Sequence, residues 1–559
     1  MSKLPIAPFD PARYIGTVCQ VGPVTVRVNL PYAASPISDH HAGYQMLAGQ
    51  VGEFILIEGE EHAIIGRIIE VKLPDQDRLL VEPTADINGQ ANPIGLIQLL
   101  TSLNLSTGLV VNGIPAHPRI AQQIFSAHPL LIKHAVEQGF GRTQNIKLGF
   151  LPNSLNMVVS LSPEALVGRH CAVLGATGGG KSWTVARLIE EIARLGGKAI
   201  VFDATGEFGG LGEGVRHVYL GGNPVDQHDS REFVGYPYQY LSEADLFVLF
   251  NPTAASQAPK LREALKSLKL VALNDAVATD GYLIKTNRDK PPIESELKKY
   301  AHAIESEGAD FDINNLPGQI EYECVKSFGA KWGGCDEQVL GYCSTLIAKI
   351  NVTLKSPYMD CIFSAKNTQP LPEVISSFLH SKDSILRISM EDLPFEHNTR
   401  EIVTNAIGRY LLKEARSGKF EENPAVVILD EAHQFLDKSL GDEYNKISLE
   451  SFGLIAKEGR KYGLTTVLAT QRPRDIPEDV LSQMGMFIVH RLINEKDRQI
   501  VERACGNMDA SAAAFLPTLG QGEAILVGIG SPMPLPIQII PPYAAPKSDG
   551  PQYKTYWGR

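Results

Sequence analysis

Three features of the sequence predict an α/β protein that also carries a β-rich N-terminal domain and a helical insertion. Short alternating apolar and polar runs, separated by Gly- or Pro-containing breaks, follow one another from about residue 12 to residue 82. The sequence after Arg169 predicts a strand, a Gly-rich loop, a helix and a second strand, with the spacing typical of a parallel α/β sheet. Helical segments interrupt this pattern between about residues 230 and 395, and it resumes at "PAVVILDEAH".

The N-terminal runs "VTVRVNL", "EFILIEG", "HAIIGRIIEVKL" and "RLLVEP" predict the strands of a small β-barrel or sandwich. We assign this domain to residues 1–110 and a connector to residues 111–168. The helix after the Gly-rich loop buries one stripe at helical spacing, formed by Val185, Leu188, Ile189, Ile192 and Leu195. The α/β core is predicted in two parts, 169–229 and 396–535, around an insertion at 230–395, with a C-terminal tail at 536–559.

Composition narrows the class of protein. A chain of 559 residues with 44% hydrophobic and 21% charged residues is an ordinary multidomain globular protein. It shows no signal peptide and no apolar run near the ~18 residues that span a bilayer, which predicts a cytoplasmic protein without a membrane partner. The seven cysteines form no C-x-x-C pair, which argues against a disulfide framework or a zinc site. A net charge of −11 still permits DNA in a pore, because only the lining of a channel need be basic.

A phosphate loop, "GATGGGKS", follows the strand "HCAVLG" and precedes the amphipathic helix. Its glycines let backbone N–H groups point at phosphate oxygens, and the helix adds its positive N-terminal end. Lys181 is predicted to neutralise the β and γ phosphates, and the Ser182 hydroxyl to ligate Mg²⁺. The predicted ATP-binding residues are therefore Gly175, Ala176, Thr177, Gly178, Gly179, Gly180, Lys181 and Ser182.

Two adjacent acidic residues in "VVILDEAH" are the predicted groups for Mg²⁺ binding and hydrolysis. The apolar strand delivers Asp430 and Glu431 to the carboxyl edge of the sheet, where open α/β sheets bind ligands. Asp430 is predicted to hold Mg²⁺ and Glu431 to act as the general base on the attacking water. The letters also spell the D-E-A-H box of superfamily-two helicases. We favour a single ATPase domain, because about 250 residues and an insertion separate this box from the phosphate loop.

Two further motifs lie at predicted strand ends. "FDATGEFG" places Asp203 and Glu207 on the ligand edge, where they bind nucleotide or cap the next element. In "LATQRP", Gln471 either contacts the γ-phosphate and its water or pairs with loop backbone. The stretch "IAKEGRKYGLT" predicts a helix over about residues 449–461 that ends in cations, with Gly463 as its cap.

These motifs, followed by "VLSQMGMFIVHRL" and "GEAILVG", occur in the order of the HerA/FtsK group of P-loop ATPases, and the chain resembles the HerA family in particular. The resemblance implies a RecA-like ATPase domain with an N-terminal barrel, assembled as a homohexamer that translocates double-stranded DNA. It implies a partner docked on the barrel, a NurA-type nuclease or, in antiviral systems, another effector such as a sirtuin-like enzyme. It also implies that Arg460 is an arginine finger acting on the ATP of the neighbouring subunit.

Two alternatives to a DNA motor remain at this stage. One is a ring-shaped scaffold whose ATPase assembles and regulates an effector. The other is a conjugative coupling protein, although such proteins usually carry membrane helices. For the motor, we predict that the loop "FLDKSLGDEYNKIS" touches DNA phosphates through Lys438 and Lys446.

Overall fold

The structure is a computed structural model. It describes residues 4–31, 33, 40–41, 44–45, 47, 49–73, 92–137, 144–152, 154–222, 231–306, 308–364, 368–394, 396–436, 438–506, 508, 510–547 and 553. The predicted strand "RLLVEP" lies outside these residues. The chain divides into two compact units: unit 1 comprises Met1–Leu195 and Val467–Ala545, and unit 2 comprises Gly196–Thr466 and Pro546–Arg559. None of the described helices is both long and apolar enough to span a bilayer.

Unit 1 begins with a closed β-barrel. Its strands, with the short pair β3–β4, are β1 (Tyr14–Val21), β2 (Thr25–Asn29), β3 (His40–His41), β4 (Tyr44–Gln45), β5 (Phe54–Ile57), β6 (His62–Lys72), β7 (Ile94–Asn104), β8 (Val110–Val111) and β9 (Gln123–Ser126). Neighbouring strands run in the order β2-β1-β9-β5-β6-β7, and β7 pairs back with β2. The predicted barrel is therefore confirmed. Its strands extend to Ser126, beyond the predicted boundary at residue 110, because β9 closes the gap between β1 and β5.

Alternation along the strands explains the barrel core. In β2 the side chains of Val26 and Val28 are buried, whereas Arg27 between them is exposed. The same period of two buries every second residue over the first half of β7. The enclosed apolar cluster is formed by Ile15, Val18, Val26, Val28, Leu30, Ile55, Ile57, Ile64, Ile68, Ile97, Leu99 and Ile124.

The rest of the N-terminal part of unit 1 leads into the phosphate loop. Its elements are α1 (Pro129–Glu137), β10 (Ile146–Leu151), β11 (Ser154–Leu161), α2 (Pro163–Leu166), β12 (Cys171–Leu174) and α3 (Lys181–Arg194). Helix α3 buries the predicted apolar stripe from Val185 to Ile192, and Leu195, just past its end, is half-buried. The segment predicted as a connector thus contributes two strands, β10 and β11, which pair with each other.

Unit 2 contains a parallel sheet and most of the helices among the described residues. The strands are β13 (Lys198–Asp203), β14 (Val215–Leu220), β15 (Glu232–Gly235), β16 (Val325–Phe328), β17 (Lys331–Cys335), β18 (Gln369–Pro370), β19 (Ile385–Ser389), β20 (Ala425–Leu429), β21 (Ser439–Gly441) and β22 (Lys446–Ser448). The helices are α4 (Glu243–Phe250), α5 (Gln257–Leu273), α6 (Lys290–Lys299), α7 (Ala301–Glu305), α8 (Leu316–Glu323), α9 (Glu337–Leu354), α10 (Asp360–Phe363), α11 (Leu371–Leu379), α12 (Thr399–Arg416) and α13 (Ser451–Glu458).

Strand order in the sheet of unit 2 is β20-β13-β19-β14-β15-β18, and the neighbours run parallel. The predicted insertion at 230–395 is helical over α4–α11, but it also carries β15, β18 and β19 of this sheet. Strand β19 reads "ILRIS" and is buried throughout, so it packs as an interior strand between β13 and β14. Its polar Arg387 interrupts the apolar run that would otherwise have marked a strand.

The chain returns to unit 1 through β23 (Leu464–Thr470), and its last elements are α14 (Glu478–Leu481), β24 (Met486–Val489), α15 (Glu495–Ala504), α16 (Ala510–Phe515), β25 (Glu523–Gly528) and β26 (Leu535–Ile539). In unit 1 the strands run in the order β11-β10-β26-β25-β24-β12-β23. Strand β12 pairs parallel with both β23 and β24, whereas β24, β25 and β26 pair antiparallel. The α/β class predicted from the sequence is confirmed.

Candidate functional site

The phosphate loop occupies the turn between β12 and α3, as its motif predicts. Gly178 (φ 75°) and Gly180 (φ 110°) adopt left-handed backbone that favours glycine. The loop is tied to the ends of both strands that flank β12. Gly175 N–H donates to the Thr470 carbonyl (3.3 Å), and Ala176 N–H donates to the Arg491 carbonyl (3.0 Å).

Lys181 and Ser182 form the first turn of α3. Lys181 is buried, Ser182 is half-buried, and the helix runs for 14 residues. Its first N–H groups lack intrahelical partners and carry the positive end of the helix dipole, so they bind anions. A Gly-rich turn, a helix N-terminus and a lysine together suit the triphosphate of a nucleotide, and a hydroxyl such as that of Ser182 suits Mg²⁺.

Gln471 lies directly after β23 and contacts the phosphate loop. Its Oε1 accepts a hydrogen bond from the Thr177 hydroxyl at 2.5 Å. Within unit 1, Gln471 therefore contacts a side chain of the phosphate loop. This position beside Thr177 keeps Gln471 a candidate for contact with the nucleotide.

In unit 2, two parallel strands bring acidic residues to one edge of the sheet. Every residue of β20 is buried, and Leu429 is in register with Phe202 of β13. Asp203, the last residue of β13, and Asp430, which directly follows β20, therefore lie at the same edge. Both carboxylates are buried, with 0% exposure.

Glu431 has an unusual backbone conformation and a histidine neighbour. Its φ of 48° is left-handed, a conformation that costs a non-glycine residue roughly 1–2 kcal/mol. Its Oε2 lies 3.2 Å from Nδ1 of His433, and the side chain is 10% exposed. A buried carboxylate on left-handed backbone at a sheet edge makes Glu431 a candidate for a role in chemistry.

Asp203 has its carboxylate fully engaged. Oδ1 accepts from the N–H groups of Gly206 (2.9 Å) and Glu207 (3.1 Å). Oδ2 accepts from Phe208 N–H (3.0 Å) and from Nε of the buried Arg387 (2.7 Å). These contacts favour the capping role of Asp203 over direct nucleotide binding. Glu207 is half-buried in the loop that Asp203 holds.

The predicted cationic helix end is present. Helix α13 ends at Glu458, a 3-10 turn spans Gly459–Tyr462, and Gly463 closes it with φ 78°. Lys461 lies 3.8 Å from the Glu458 carboxylate. Arg460 is exposed on the surface of unit 2.

The candidate DNA loop is a β-hairpin formed by β21 and β22. Leu440 and Ile447 face the protein and are buried, whereas Lys438 and Lys446 are exposed. The hairpin is anchored by Asn445, whose Nδ2 donates to the Pro252 carbonyl at 2.7 Å.

Two groups at these sites were not predicted from the sequence, Arg387 and His490. Arg387 belongs to β19 inside the predicted helical insertion. His490 directly follows β24, is fully buried, and contacts Thr184 of α3. Burial lowers the pKa of His490 to about 4, and the charge of Lys181 acts in the same direction. The apolar run "MFIVHRL" ending at a strand edge was the only signal that could have found it.

A phosphate loop between a strand and a helix of an α/β unit, with a paired acid at the edge of a parallel sheet, defines a P-loop ATPase. Family profiles agree: "Helicase HerA, central domain" matches residues 146–316, and "Helicase HerA-like C-terminal" matches residues 413–549. The chain belongs to the HerA helicase family.

Several known proteins are similar to this chain. A probable helicase of Methanocaldococcus jannaschii is 25% identical over 501 residues, covering 86% of this chain and 84% of the relative. The DNA double-strand break repair helicase HerA of Sulfolobus acidocaldarius is 25% identical over 398 residues, covering 71% and 69%. Among solved structures, VirB4 of Thermoanaerobacter pseudethanolicus is 15% identical, with a TM-score of 0.45 over 75% of this chain and 100% of that chain.

Proposed function

We propose that this chain is one subunit of a homohexameric ring that hydrolyses ATP to move double-stranded DNA, working with an effector protein. The phosphate loop at the N-terminus of α3, with buried Lys181 in its first turn, carries the nucleotide part of the proposal. Family relatives named as DNA double-strand break repair helicases support DNA as the substrate.

Each residue has a separate part in hydrolysis. The loop N–H groups and Lys181 bind the β and γ phosphates, and Glu431 accepts a proton from the attacking water. Mg²⁺, when bound, neutralises charge on the phosphates, and Ser182 and Asp430 are its proposed ligands because it prefers oxygen donors. Gln471 orients the γ-phosphate or its water beside Thr177.

Arg460 is the proposed finger that completes the ATP site of a neighbouring subunit. It is exposed, so it is available to a second copy of the chain. A planar guanidinium can bridge two phosphate oxygens at once, which a lysine cannot do.

The β21–β22 hairpin is the proposed DNA contact of unit 2. Lys438 and Lys446 are exposed, and the anchored hairpin holds them on a fixed surface. The tip between the two strands carries Asp442 and Glu443, which repel phosphates, so the proposed phosphate contacts are the two lysines.

One end of the barrel is the proposed dock for the effector, a NurA-type nuclease or another enzyme such as a sirtuin-like one. Val24 is 58% exposed and Ile120 is 68% exposed. Both lie near the turn between β1 and β2: His117 Nε2 contacts the Pro23 carbonyl at 3.0 Å, and Ala121 N–H donates to the Val18 carbonyl. These two exposed apolar side chains near one turn are the proposed contact surface.

The docking surface can be tested by charge. Val24→Asp with Ile120→Asp should abolish co-purification with the effector encoded by the neighbouring gene, while nucleotide binding is retained. Val352→Asp is the matched control, because Val352 is 72% exposed on α9 of unit 2. Retained co-purification of the barrel variant would move the dock elsewhere.

The function itself is tested by ATP turnover with and without linear duplex DNA. The wild-type ring should hydrolyse ATP faster when duplex DNA is added. Lys181→Ala should lose nucleotide binding, whereas Glu431→Gln should bind ATP and turn it over roughly 10²–10⁴-fold more slowly. Turnover in Glu431→Gln at the wild-type rate would remove the general base from the proposal. An ATPase indifferent to DNA that still binds the effector tightly would show a regulatory scaffold instead of a motor.

A further inference from the structure

His490 uses both of its ring nitrogens. Nδ1 lies 2.8 Å from the Glu523 carbonyl, and Nε2 lies 2.8 Å from the Thr184 hydroxyl. A carbonyl only accepts, so Nδ1 carries the hydrogen. Because burial lowers the pKa of His490 to about 4, the ring is neutral near pH 7 and Nε2 is an acceptor. The Thr184 hydroxyl therefore donates to His490.

The ring lies directly against the phosphate loop. A Cβ on Gly175 would come within 2.6 Å of His490 Cβ, closer than real Cβ contacts allow. A Cβ on Gly180 would lie 3.4 Å from His490 Cε1 and 3.0 Å from Gly522 Cα. Gly522 N–H also donates to the Gly179 carbonyl (3.1 Å). His490 and Gly522 therefore pack so closely against the loop that Gly175 and Gly180, at its two ends, have no room for a side chain.

The contact with Thr184 reaches the first turn of α3. Thr184 N–H donates to the Gly180 carbonyl at 3.0 Å, the first α-helical bond of that helix. Thr184 follows Lys181 by three residues, so the two belong to the same turn of helix. Fixing the Thr184 side chain therefore fixes the start of the helix that presents Lys181.

We propose that His490 is a positioning residue for nucleotide binding, which holds the phosphate loop and the first turn of α3 in their binding conformation through Thr184 and Glu523. The inference rests on the proposed ATP binding. A neutral ring suits this role, because a cation here would lie beside Lys181 and repel it. The support does not touch the phosphates, so its loss should weaken nucleotide binding more than it slows the chemical step.

Two variants break the same bond from its two ends. Thr184→Val removes the donor while keeping the shape of the side chain. His490→Asn removes the acceptor and keeps an N–H near the position of Nδ1. Each should raise the KM for ATP and the Kd for a fluorescent ADP analogue by about threefold to tenfold, the usual worth of one hydrogen bond, with kcat changed less than twofold. The double variant should be no worse than the poorer single variant, because both changes remove one interaction.

A matched control separates positioning from general stability. Thr101→Val in β7 of the barrel also removes a buried hydroxyl, which donates to the Val111 carbonyl at 3.0 Å. It should leave the KM for ATP and the Kd for ADP unchanged. Wild-type Kd values in Thr184→Val, or effects of the two variants that add, would overturn the inference. Since the Kd is measured without turnover, an inactive wild-type ring would count against the proposed hydrolysis and not against His490.

Discussion

Replacing Asp203 by asparagine should destabilise unit 2 rather than remove a nucleotide ligand. The carboxylate is fully buried and accepts four hydrogen bonds, three from backbone N–H groups of the loop after β13 and one from Arg387. Arg387 is itself 1% exposed. The change Asp203→Asn keeps the size of the side chain and removes its charge.

The magnitude follows from the contacts. All four partners are donors, so in either orientation the amide nitrogen of the substituted side chain would face two N–H groups instead of accepting from them. At the Oδ2 position those groups are Phe208 N–H at 3.0 Å and Arg387 Nε at 2.7 Å. Removing one partner of a buried ion pair costs about 3–5 kcal/mol, because the other charge stays buried. We expect a loss of that size in the free energy of unfolding.

Urea unfolding, followed by fluorescence, measures this loss. Asp442→Asn is the matched control: its Oδ1 also accepts two backbone hydrogen bonds, from Tyr444 (2.9 Å) and Asn445 (2.7 Å), but in an exposed turn. The control should lose about 1 kcal/mol or less. An Asp203→Asn variant with wild-type stability and no ATP hydrolysis would refute the capping argument and assign Asp203 to the chemistry.

Three further predictions concern the ring, the DNA and pH. Arg460→Ala should lower ATP turnover by roughly a thousandfold or more. Mixing Arg460→Ala and Lys181→Ala subunits in one ring should restore part of the activity, because some interfaces then pair an intact phosphate loop with an intact Arg460. No recovery from verified mixed rings would mean that Arg460 does not act on the ATP of the neighbouring subunit. Neutralising both Lys438 and Lys446 should flatten the slope of log K against log salt by about 1.8, at about 0.9 per phosphate contact, with basal ATPase unchanged; an unchanged slope places the DNA surface elsewhere. The pKa of His490 is about 4 in the folded protein, against an ordinary value of 6.5 for histidine, so the unfolded chain binds more protons between these pH values. Stability should therefore fall by up to about 3 kcal/mol as pH drops from 6.5 to 4, and His490→Asn should show a shallower fall in urea unfolding over that range.

Local patterns predicted the elements that depend on local sequence. The phosphate loop could be predicted because the local backbone conformation requires its glycines, as the left-handed Gly178 and Gly180 show. The barrel strands were visible because alternation reports which face is buried. Strand β9, which closes the barrel, was missed because four residues carry little periodicity and their pairing with β1 and β5 is non-local.

The parts of the site that were missed depend on contacts between distant residues. Arg387 lies 184 positions from Asp203, and His490 lies 306 positions from Thr184. In a single sequence an arginine in a strand or a histidine after one has no visible partner. Only the fold shows that the Asp203 carboxylate already accepts hydrogen bonds from the following loop and from Arg387, which favours its capping role over nucleotide binding.

The cations of "EGRKYG" show how structure separates two residues that the sequence places side by side. Both Arg460 and Lys461 lie in the last turn, where the helix dipole favours positive charge, so either would satisfy the helix-end explanation. Lys461 is held locally: its Nζ lies 3.8 Å from the Glu458 carboxylate and 4.8 Å from the centre of the Tyr462 ring. A side chain with two contacts on its own helix serves that helix. Arg460 is exposed beside it and carries the planar group that can bridge two phosphate oxygens. The two roles are therefore compatible: Lys461 stabilises the helix end, and Arg460 is the proposed arginine finger.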